Sequence, residues 1–553
     1  MKKNNSALSW IVHSSRPQLF NIILLTVFYA VNAFIGVYNT TFARDLVNAA
    51  VSGEDISRVL YYGLLYFGIT VLQLAALVLS RNTAFKVGAK LEISMQTKLF
   101  SSMMNKSFAD VSAYHSGELM NRLTADVSVV SSAVTSIIPN IAYFTVKLVG
   151  IFYILVSIDL IFALVFFVGG GLVLAASSFF KPVTKRLHKQ VQEKDGKVRS
   201  FMQESLTSLL MVKTFGAQEK MTATELDLQD DSYCAKRRRN VVSIVTGSAL
   251  SAVFAFAFVW GICWGAYQLY FHLITYGVLT QIITLVGQIR TPIQGMSNIF
   301  PTYFNALASA ERIIEIEQLP DEEEQHSDVD IAGLYRSMRA IRFDGVTFSY
   351  DNETVLEHAS FTVQKGEFIA IEGISGIGKS TLLKLLLSVY TPQEGSIHID
   401  AGDAMTVDKS LRKLFAYVPQ GNFLLSGTLR ENIAFVAPEA TDDEIMRAAR
   451  IACADGFISE LPNGLDSVIA ERGAGLSEGQ VQRVAIARAV LSGSPVILLD
   501  EATSALDEAT EAQLLHNLRE LSDITCMIVS HKKAAETICD KIVTVSDKQI
   551  KVR

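Results

Sequence analysis

The sequence predicts an α-helical membrane bundle followed by an α/β domain. Long apolar stretches without charge are confined to the first 310 residues, and an acidic segment follows at residues 319–324. From about Arg342, short apolar strands alternate with amphipathic helices, which is the pattern of an α/β domain. The 553 residues also exceed the ~100–200 that are usual for one domain, so at least two domains are expected.

The apolar half contains six predicted membrane spans. Residues 18–43, 59–80 and 160–180 carry no charge, and residues 127–158 carry only Lys147. Each stretch is long enough to cross hydrocarbon, which takes ~20 residues. Residues 240–289 are uncharged apart from His272, and their length suits two spans that turn near residues 272–277. The spans, with long cytoplasmic helical extensions, are expected at residues 18–43, 59–80, 134–157, 160–180, 241–271 and 278–303.

The distribution of Lys and Arg predicts the orientation of these spans. Basic residues concentrate before the first span, between spans two and three, and between spans four and five, so these segments are expected in the cytoplasm. The first span lacks a small-residue cleavage pattern, which indicates a retained span rather than a signal peptide. We therefore predict a multi-pass membrane protein, and its compact size and lack of a targeting presequence suggest, by analogy, the bacterial cytoplasmic membrane. Its parts are a cytoplasmic segment at 1–16, a membrane domain at 17–312, a linker at 313–338 and a cytoplasmic α/β domain at 339–553.

Cysteine usage and net charge exclude several classes of function. The five cysteines are scattered without metal-ligand spacing, so neither a zinc site nor a disulfide framework is expected. The net charge of −6 is modest, and the basic runs flank membrane spans. Orientation explains these runs better than nucleic acid does, and no nucleic-acid partner is expected.

A phosphate-binding loop lies at residues 373–381, which read Gly-Ile-Ser-Gly-Ile-Gly-Lys-Ser-Thr. It follows an apolar run at 368–371 and precedes a leucine-rich helical run at 382–387. In such a loop, backbone N–H groups close around a triphosphate at a helix N-terminus. Lys379 is expected to reach the β- and γ-phosphates and Ser380 to ligate Mg²⁺. The predicted nucleotide contacts are Gly373, Ser375, Gly376, Gly378, Lys379, Ser380 and Thr381.

A second strand ends in two carboxylates. Residues 496–501 read Val-Ile-Leu-Leu-Asp-Glu, an apolar strand followed by Asp500 and Glu501. In this arrangement Asp500 can hold Mg²⁺ and Glu501 can polarise an attacking water. The alternative is a parallel strand that happens to end in acids. The phosphate loop upstream favours the first interpretation, because such a loop needs an acidic partner.

Between these two motifs, Leu476-Ser477-Glu478-Gly479-Gln480 precedes a helix. The domain resembles the nucleotide-binding domain of ATP-binding cassette (ABC) transporters, whose signature reads Leu-Ser-Gly-Gly-Gln. In sequence order, Tyr350 looks like the residue that stacks on adenine, Gln420 is similar to the family's glutamine loop, and His531 to its switch histidine. Residues 504–507 match its inter-subunit loop. Six spans ahead of one cassette, with cytoplasmic segments at 116–126 and 204–215, look like an exporter-type half-transporter.

The resemblance implies a dimer in which two cassettes enclose two ATP molecules with Mg²⁺. It assigns catalysis to Glu501, Gln420 and His531, and Mg²⁺ binding to Ser380, Gln420 and Asp500. Ser477, Gly479 and Gln480 are then expected to contact the nucleotide of the partner cassette. Glu478 departs from the family pattern. If its carboxylate faced the γ-phosphate it would repel it and indicate a heterodimer, whereas an outward carboxylate is compatible with a homodimer, which we favour.

The implied function is ATP-driven export of an amphipathic cargo, a drug-like compound, peptide or lipid, by alternating access. Lys147 and Arg290 lie within predicted spans and suggest an anionic or peptide cargo. The competing interpretation pairs Lys147 inside the bundle and places Arg290 near the cytoplasmic interface. Two other functions stay open: an importer of metal chelates on the same fold, and a non-transporting regulator or channel. Glu501 and His531 argue against a module that only binds ATP.

Overall fold

A computed structural model describes residues 2–165, 167–169, 181–322, 329–350, 353–421, 424–470, 473, 475–530 and 532–553. The chain divides into two compact units. The first comprises residues 1–101 and 116–317, and the second comprises residues 102–115 and 318–553.

The first unit is entirely helical in the residues described. The named helices up to residue 317 are α1 (Lys2–Ser15), α2 (Leu19–Val51), α3 (Ile56–Asn105), α4 (Phe108–Ser112), α5 (Ser116–Asn121), α6 (Val127–Ile158), α7 (Lys181–Thr207), α8 (Leu209–Thr214), α9 (Gln218–Tyr270) and α10 (Tyr276–Glu317). Of these, α4 and the last four residues of α3 belong to the second unit. Short turns complete the first unit at Arg16–Gln18 and, as one π-helical turn, at Arg122–Asp126.

Several of these helices are longer than a bilayer is thick. At 1.5 Å per residue, the 50 residues of α3 span about 75 Å, against roughly 30 Å of hydrocarbon. Such helices extend well beyond the membrane, as the sequence predicts. Among the described residues, four helical stretches are long and apolar enough to cross: Ser6–Val51, Ile56–Asn105, Ser116–Ile158 and Gln218–Tyr270.

The count of six spans stays a prediction. Of the predicted span at 160–180, residues 160–165 and 167–169 are described and are helical, and the rest lies outside the described residues. The predicted span at 278–303 lies in α10, whose Gln281, Gln288 and Arg290 make it less apolar than the other four. The turn expected near His272 separates α9 from α10.

Apolar packing and a few polar contacts join the helices of the first unit. Phe162 is buried and packs against the indole rings of Trp260 and Trp264, with ring centroids 5.0 and 4.5 Å away. The Gln281 side chain of α10 donates to the Thr40 hydroxyl of α2 at 3.3 Å. In hydrocarbon such contacts replace the hydrogen bonds that water would make, so they fix which helix faces meet.

Ion pairs and hydrogen bonds connect the π-helical turn to the C-terminal part of α10. The Asp126 carboxylate, which is 3% exposed, accepts from Arg312 Nε at 2.9 Å and from the Ser309 hydroxyl at 2.8 Å. Arg122 pairs with Glu315 at 2.9 Å and donates to the Arg312 carbonyl at 2.8 Å. Asp126 is buried and Arg312 is the cation that pairs with it, so removing Arg312 would leave a buried carboxylate uncompensated, whereas Arg122 also pairs with Glu118 at 2.7 Å.

The second unit is an α/β domain with two main sheets. Its strands are β1 (Ala340–Tyr350), β2 (Glu353–Gln364), β3 (Phe368–Glu372), β4 (Glu394–Asp400), β5 (Ala404–Thr406), β6 (Phe415–Val418), β7 (Gly427–Thr428), β8 (Val468–Ile469), β9 (Val496–Asp500), β10 (Thr525–Val529), β11 (Lys541–Ser546) and β12 (Gln549–Val552). Its further helices are α11 (Ile331–Ser337), α12 (Lys379–Leu386), α13 (Leu429–Ile433), α14 (Asp442–Ile451), α15 (Asp455–Glu460), α16 (Glu478–Leu491), α17 (Glu508–Arg519) and α18 (Lys533–Ile538).

One sheet of this unit is almost entirely parallel. Its order is β12-β11-β3-β10-β9-β6, and only β12 runs antiparallel to its neighbour. The other main sheet, β2-β1-β4-β5, is antiparallel. All residues of β9 and β10 are buried, which is expected of central strands covered by helices on both faces. Because these apolar strands are parallel, the polar residues that follow them lie together at one edge of the sheet.

We predict that Gly277 tolerates no side chain. A Cβ at Gly277 would lie 2.2 Å from the Arg44 carbonyl oxygen of α2, whereas a Cβ at Gly287 of the same helix would meet nothing within 4 Å. Gly277→Ala should therefore destabilise the protein by about 1–3 kcal/mol through overpacking. Gly287→Ala should be neutral or stabilising, since Ala is the better helix former. Thermal unfolding in detergent compares the two variants, and equal melting temperatures would contradict the expectation.

Candidate functional site

Four parallel strands end at the same sheet edge and bring the predicted site residues together. β3 leads into the phosphate loop, β6 into Gln420, and β9 into Asp500 and Glu501. β10 leads towards position 531 and Lys532. Side chains that follow parallel strands at their carboxyl ends form the usual ligand site of α/β sheets. The predicted switch residue His531 lies outside the described residues.

The phosphate loop adopts a conformation that requires its glycines. Gly373, Gly376 and Gly378 have φ angles of +151°, +80° and +112°. A Cβ at Gly378 would also lie 2.4 Å from the Val355 side chain. Ser375 is exposed at the tip of the loop, and Lys379 and Thr381 lie buried in the first turn of α12. The loop therefore presents backbone to solvent just where a helix begins, as a phosphate site requires.

Lys379 lies in the centre of this loop. Its ammonium group donates to the carbonyls of Gly373 at 2.8 Å and Ile374 at 3.1 Å, and the side chain is 4% exposed. The Glu501 carboxylate is 3.9 Å from it. The loop carbonyls and this carboxylate hold the cation beside the exposed backbone, where an anionic ligand would meet it.

Asp500 is the buried acid of the site. Its two oxygens accept from the Ser380 hydroxyl at 2.8 Å and the Tyr417 hydroxyl at 2.9 Å. Sequence reasoning missed Tyr417, which lies three residues before Gln420 in β6. Burial and the neighbouring Asp500 carboxylate raise the pKa of Tyr417, so its hydroxyl stays protonated and remains a donor.

Glu501 points elsewhere, although it follows Asp500 directly. Its φ angle is +50°, a region that non-glycine residues seldom occupy and that often marks functional sites. Its carboxylate accepts a hydrogen bond from the Gln420 side-chain amide at 2.6 Å. Two adjacent acids thus have different surroundings: Asp500 is enclosed by hydroxyl groups, and Glu501 lies between an amide and Lys379.

Tyr350 lies next to the first turn of α12. Its hydroxyl is 3.2 Å from that of Thr381, and its ring meets those of Phe348 and Tyr390 edge to face at 4.9 and 5.3 Å. Burial raises the pKa of Tyr350, so the phenol stays neutral. About a third of the side chain is exposed, and this part is available for stacking. That Tyr350 stacks on adenine stays a prediction.

The signature residues start α16 and are used in its N-cap. The Ser477 hydroxyl accepts from the Gln480 backbone N–H at 3.3 Å, and the Gln480 side chain accepts from the Ser477 N–H at 2.8 Å. Glu478 is exposed in the first turn, whereas a Cβ at Gly479 would lie 3.0 Å from the Ala505 carbonyl oxygen. Among the described residues, no hydrogen bond joins this segment to the phosphate loop of the same chain.

The oxygen atoms around Asp500 suit Mg²⁺. Magnesium prefers oxygen ligands, typically one or two carboxylates together with substrate phosphates. Asp500 and Ser380 offer a carboxylate and a hydroxyl already in contact, and the Gln420 side-chain oxygen remains free when its amide group donates to Glu501. In the described part of the chain, no cluster of three His, Cys, Asp or Glu residues suggests a transition-metal site.

The two predicted cargo residues do not come together. Lys147 donates to the Tyr143 hydroxyl of the same helix at 3.3 Å. Arg290 donates to the Ser251 hydroxyl of α9 at 3.1 Å and remains exposed. No described contact joins the two cations. Lys147 contacts a tyrosine of its own helix, and Arg290 contacts a serine of α9.

Known proteins resemble this chain along most of its length. Residues 22–293 match the family model of the ABC transporter transmembrane region, and residues 356–504 match that of the ABC transporter. An ATP-dependent lipid A-core flippase of Desulfotalea psychrophila is 31% identical, over 84% of this chain and 81% of that protein. A fatty acid ABC transporter ATP-binding/permease protein of Mycobacterium bovis is 30% identical, over 78% of this chain and 69% of that protein.

The solved structure of a bacterial Atm1-family ABC exporter with ATP bound has the same fold. The TM-score is 0.79 at 24% identity, and the match covers 97% of this chain and 94% of that one. The resemblance inferred from the motifs is confirmed by these matches. The chain therefore belongs to the ABC transporter family, and it joins a transmembrane region and an ATP-hydrolysing domain in one polypeptide.

Proposed function

We propose that the protein exports an amphipathic substrate, using ATP hydrolysis by a dimer of half-transporters. The observation that carries the proposal is the joint position of Lys379, Asp500 and Glu501 at one sheet edge, in a chain that also has a transmembrane region. The fold shared with an ABC exporter supports export, rather than import, as the direction of transport. The bacterial relatives support a location in the bacterial cytoplasmic membrane.

For hydrolysis, each residue has a role that its contacts favour. Glu501 accepts a proton from the attacking water, and the Gln420 amide fixes the carboxylate in place. Lys379 and the loop N–H groups stabilise negative charge on the phosphates. Asp500, Ser380 and Gln420 would hold Mg²⁺, which would neutralise charge on the phosphates. His531 is assigned to the γ-phosphate by its place in the sequence.

We propose that the signature residues act across a dimer. Ser477, Gly479 and Gln480 make no described hydrogen bond to the phosphate loop of their own chain, so they are free to face the nucleotide of a partner. Glu478 is exposed on the first turn, where the positive end of a helix favours a carboxylate. The fold accommodates this residue without distortion, which favours a homodimer over a heterodimer.

A polar cavity in the first unit supports an anionic amphiphile as the cargo. It has a volume of about 210 Å³ and is lined by Tyr29, Asn32, Leu77, Ser80, Arg81, Asn140, Tyr143 and Phe144. A second cavity of about 310 Å³ shares Asn140 and Phe144 with it. Arg81 lines the first cavity, and Lys147 contacts its wall through Tyr143.

The charge of this cavity determines the class of cargo that fits. No acidic residue is among the described residues that line either cavity, so Arg81 has no counter-ion there. Arginine forms bidentate hydrogen bonds with carboxylates and phosphates, while the aromatic wall suits an alkyl chain. A fatty acid, the substrate named for one relative, has this combination of an anionic head and an apolar tail. Sequence reasoning missed Arg81, which comes directly after the predicted second span.

We predict that the purified chain alone hydrolyses ATP in lipid, and that Glu501→Gln abolishes turnover while ATP still binds. Loss of a general base typically costs about 10²–10⁴-fold in rate. Steady-state ATPase rates and ATP binding are measured on both proteins in proteoliposomes. Normal turnover in the variant would refute the role of Glu501. No turnover in the folded, ATP-binding wild type would instead favour a heterodimer.

Tyr417→Phe should raise the Mg²⁺ concentration needed for half-maximal ATPase activity by about tenfold. The substitution removes one of two hydrogen bonds to the buried Asp500 carboxylate, and a bond to a charged group is worth about 1.5–3 kcal/mol. Tyr335→Phe is the control, because it also removes a tyrosine hydroxyl contact, a buried one to Thr525 at the opposite end of β10. An unchanged Mg²⁺ requirement in Tyr417→Phe would show that the bond does not orient Asp500.

Arg81→Gln should remove most of the stimulation of ATPase activity by an anionic amphiphile. The probe is hexadecyl phosphate in proteoliposomes, compared with zwitterionic hexadecylphosphocholine, which has the same alkyl chain. Lys86→Gln is the control, since Lys86 is an exposed cation on the same helix outside the cavity lining. Equal stimulation by both lipids, or an unchanged response in Arg81→Gln, would exclude the anionic cargo.

The double variant in which Lys147 and Arg290 are both replaced by Gln tests the two cations predicted from sequence.

A further inference from the structure

The loop between Glu501 and α17, residues 501–507, is held from two sides by side chains that the proposed chemistry does not use. We name it the bridging loop, because it joins Glu501 to the segment that packs against the start of α16. Within the loop, the Glu501 carbonyl accepts from the Ser504 N–H at 3.2 Å, and the Thr503 carbonyl accepts from the Leu506 N–H at 3.1 Å. The loop is therefore hydrogen-bonded directly to the backbone of Glu501.

On one side, α16 holds the bridging loop through Gln482. The Gln482 amide donates to the Ser504 hydroxyl at 2.9 Å, and its carbonyl oxygen accepts from the Ala505 N–H at 3.1 Å. Gly479 approaches the Ala505 carbonyl so closely that a Cβ would lie 3.0 Å from it. The loop and the signature residues at the start of α16 thus form one packed assembly.

On the other side, Lys532 holds the loop from the end of β10. Its ammonium group donates to the Thr503 carbonyl at 2.8 Å and to the Leu506 carbonyl at 2.6 Å. Its third partner is the Glu511 carboxylate of α17 at 3.4 Å. Glu511 is 0% exposed and accepts from the Thr503 hydroxyl at 2.7 Å. Two ammonium donors of Lys532 are therefore directed at the loop carbonyls, and its charge lies beside the carboxylate of the helix that follows the loop.

We propose that Lys532 is a positioning residue for ATP hydrolysis. It acts through the bridging loop, which fixes Glu501 at one end and contacts the signature helix through Ser504 and Ala505. Lys532 also follows position 531 directly, so it links the strand end that carries the predicted switch residue to the loop. The inference rests on the proposed function, in which Glu501 accepts the proton and α16 faces the partner's ATP.

The contacts of Lys532 distinguish a positioning role in hydrolysis from a purely stabilising ion pair with Glu511. Burying a carboxylate such as Glu511 is unfavourable unless a cation compensates it, so Lys532 is also expected to affect stability. Its two shorter contacts, however, are to loop carbonyls, and these do not depend on the charge of Glu511. Removing the carboxylate together with the ammonium group distinguishes the two effects.

The test compares four variants of the full chain in proteoliposomes: Lys532→Met, Lys532→Arg, Glu511→Gln, and the double variant of Glu511→Gln with Lys532→Met. ATPase kcat, the KM for ATP, equilibrium ATP binding and the melting temperature are measured for each. Lys541→Met is the matched control, because Lys541 is similarly exposed and pairs with Glu367 at 2.6 Å, on the far side of β3 from β10.

We expect Lys532→Met to lower kcat at least tenfold while ATP binding and KM change less than threefold. The double variant should regain the melting temperature but not kcat, since the loop carbonyls still lack their donor. Glu511→Gln alone, Lys532→Arg and Lys541→Met should keep kcat within about threefold of wild type. A kcat near wild type in Lys532→Met, or recovery of kcat in the double variant, would overturn the proposal. Absence of Glu501-dependent turnover in the folded, ATP-binding wild type would instead show that the homodimer is not the active form, and the four variants would then be compared in the complex with the partner subunit.

Discussion

The parallel pairing of β10 with both β3 and β9 is the constraint on which the site depends. Val529 is aligned with Ile371 on one side and with Asp500 on the other. This register places the start of the phosphate loop level with Asp500, although more than a hundred residues separate them in sequence. The hydrogen bond between Ser380 and Asp500 is the direct result. The residues of β9 and β10 are buried on both faces, and their close packing against neighbouring side chains opposes any shift of this register.

The two adjacent acids differ in their burial and therefore in the role that each can take. A buried carboxylate needs hydrogen-bond donors, and Asp500 has them in Ser380 and Tyr417. These bonds fix its orientation and leave it suited to hold a cation. The positive φ angle of Glu501 turns the next carboxylate out of the sheet, towards Gln420 and Lys379. Strain of this kind costs about 1–3 kcal/mol and persists only where surrounding contacts maintain it. The bridging loop supplies such contacts.

The parts of this arrangement that could be predicted from the sequence are those formed by consecutive residues. The phosphate loop with Lys379, and the strand that ends in Asp500, carry their chemistry and their local structure in the same few positions. Tyr417 and Lys532 were missed because their partners are distant in sequence and become neighbours only through the sheet. Arg81 was missed for a different reason. A cation next to a span end normally indicates orientation, and only the structure places Arg81 beside Asn140 and Tyr143 in the lining of a cavity. The polar residues of α10 likewise obscure the span that is predicted there.

The two positions of the signature that the family fills with glycine are physically unequal in this chain. At Gly479 the Ala505 carbonyl leaves no room for a side chain, so packing against the bridging loop requires glycine. At Glu478 the side chain is exposed, and the first turn of a helix favours a carboxylate by about 0.3–1 kcal/mol. The Ser477 and Gln480 cap is also intact beside it. The substitution therefore falls on the position that the fold of the single chain does not restrict, and the hydroxyl and N–H groups that would face a partner's nucleotide keep their arrangement.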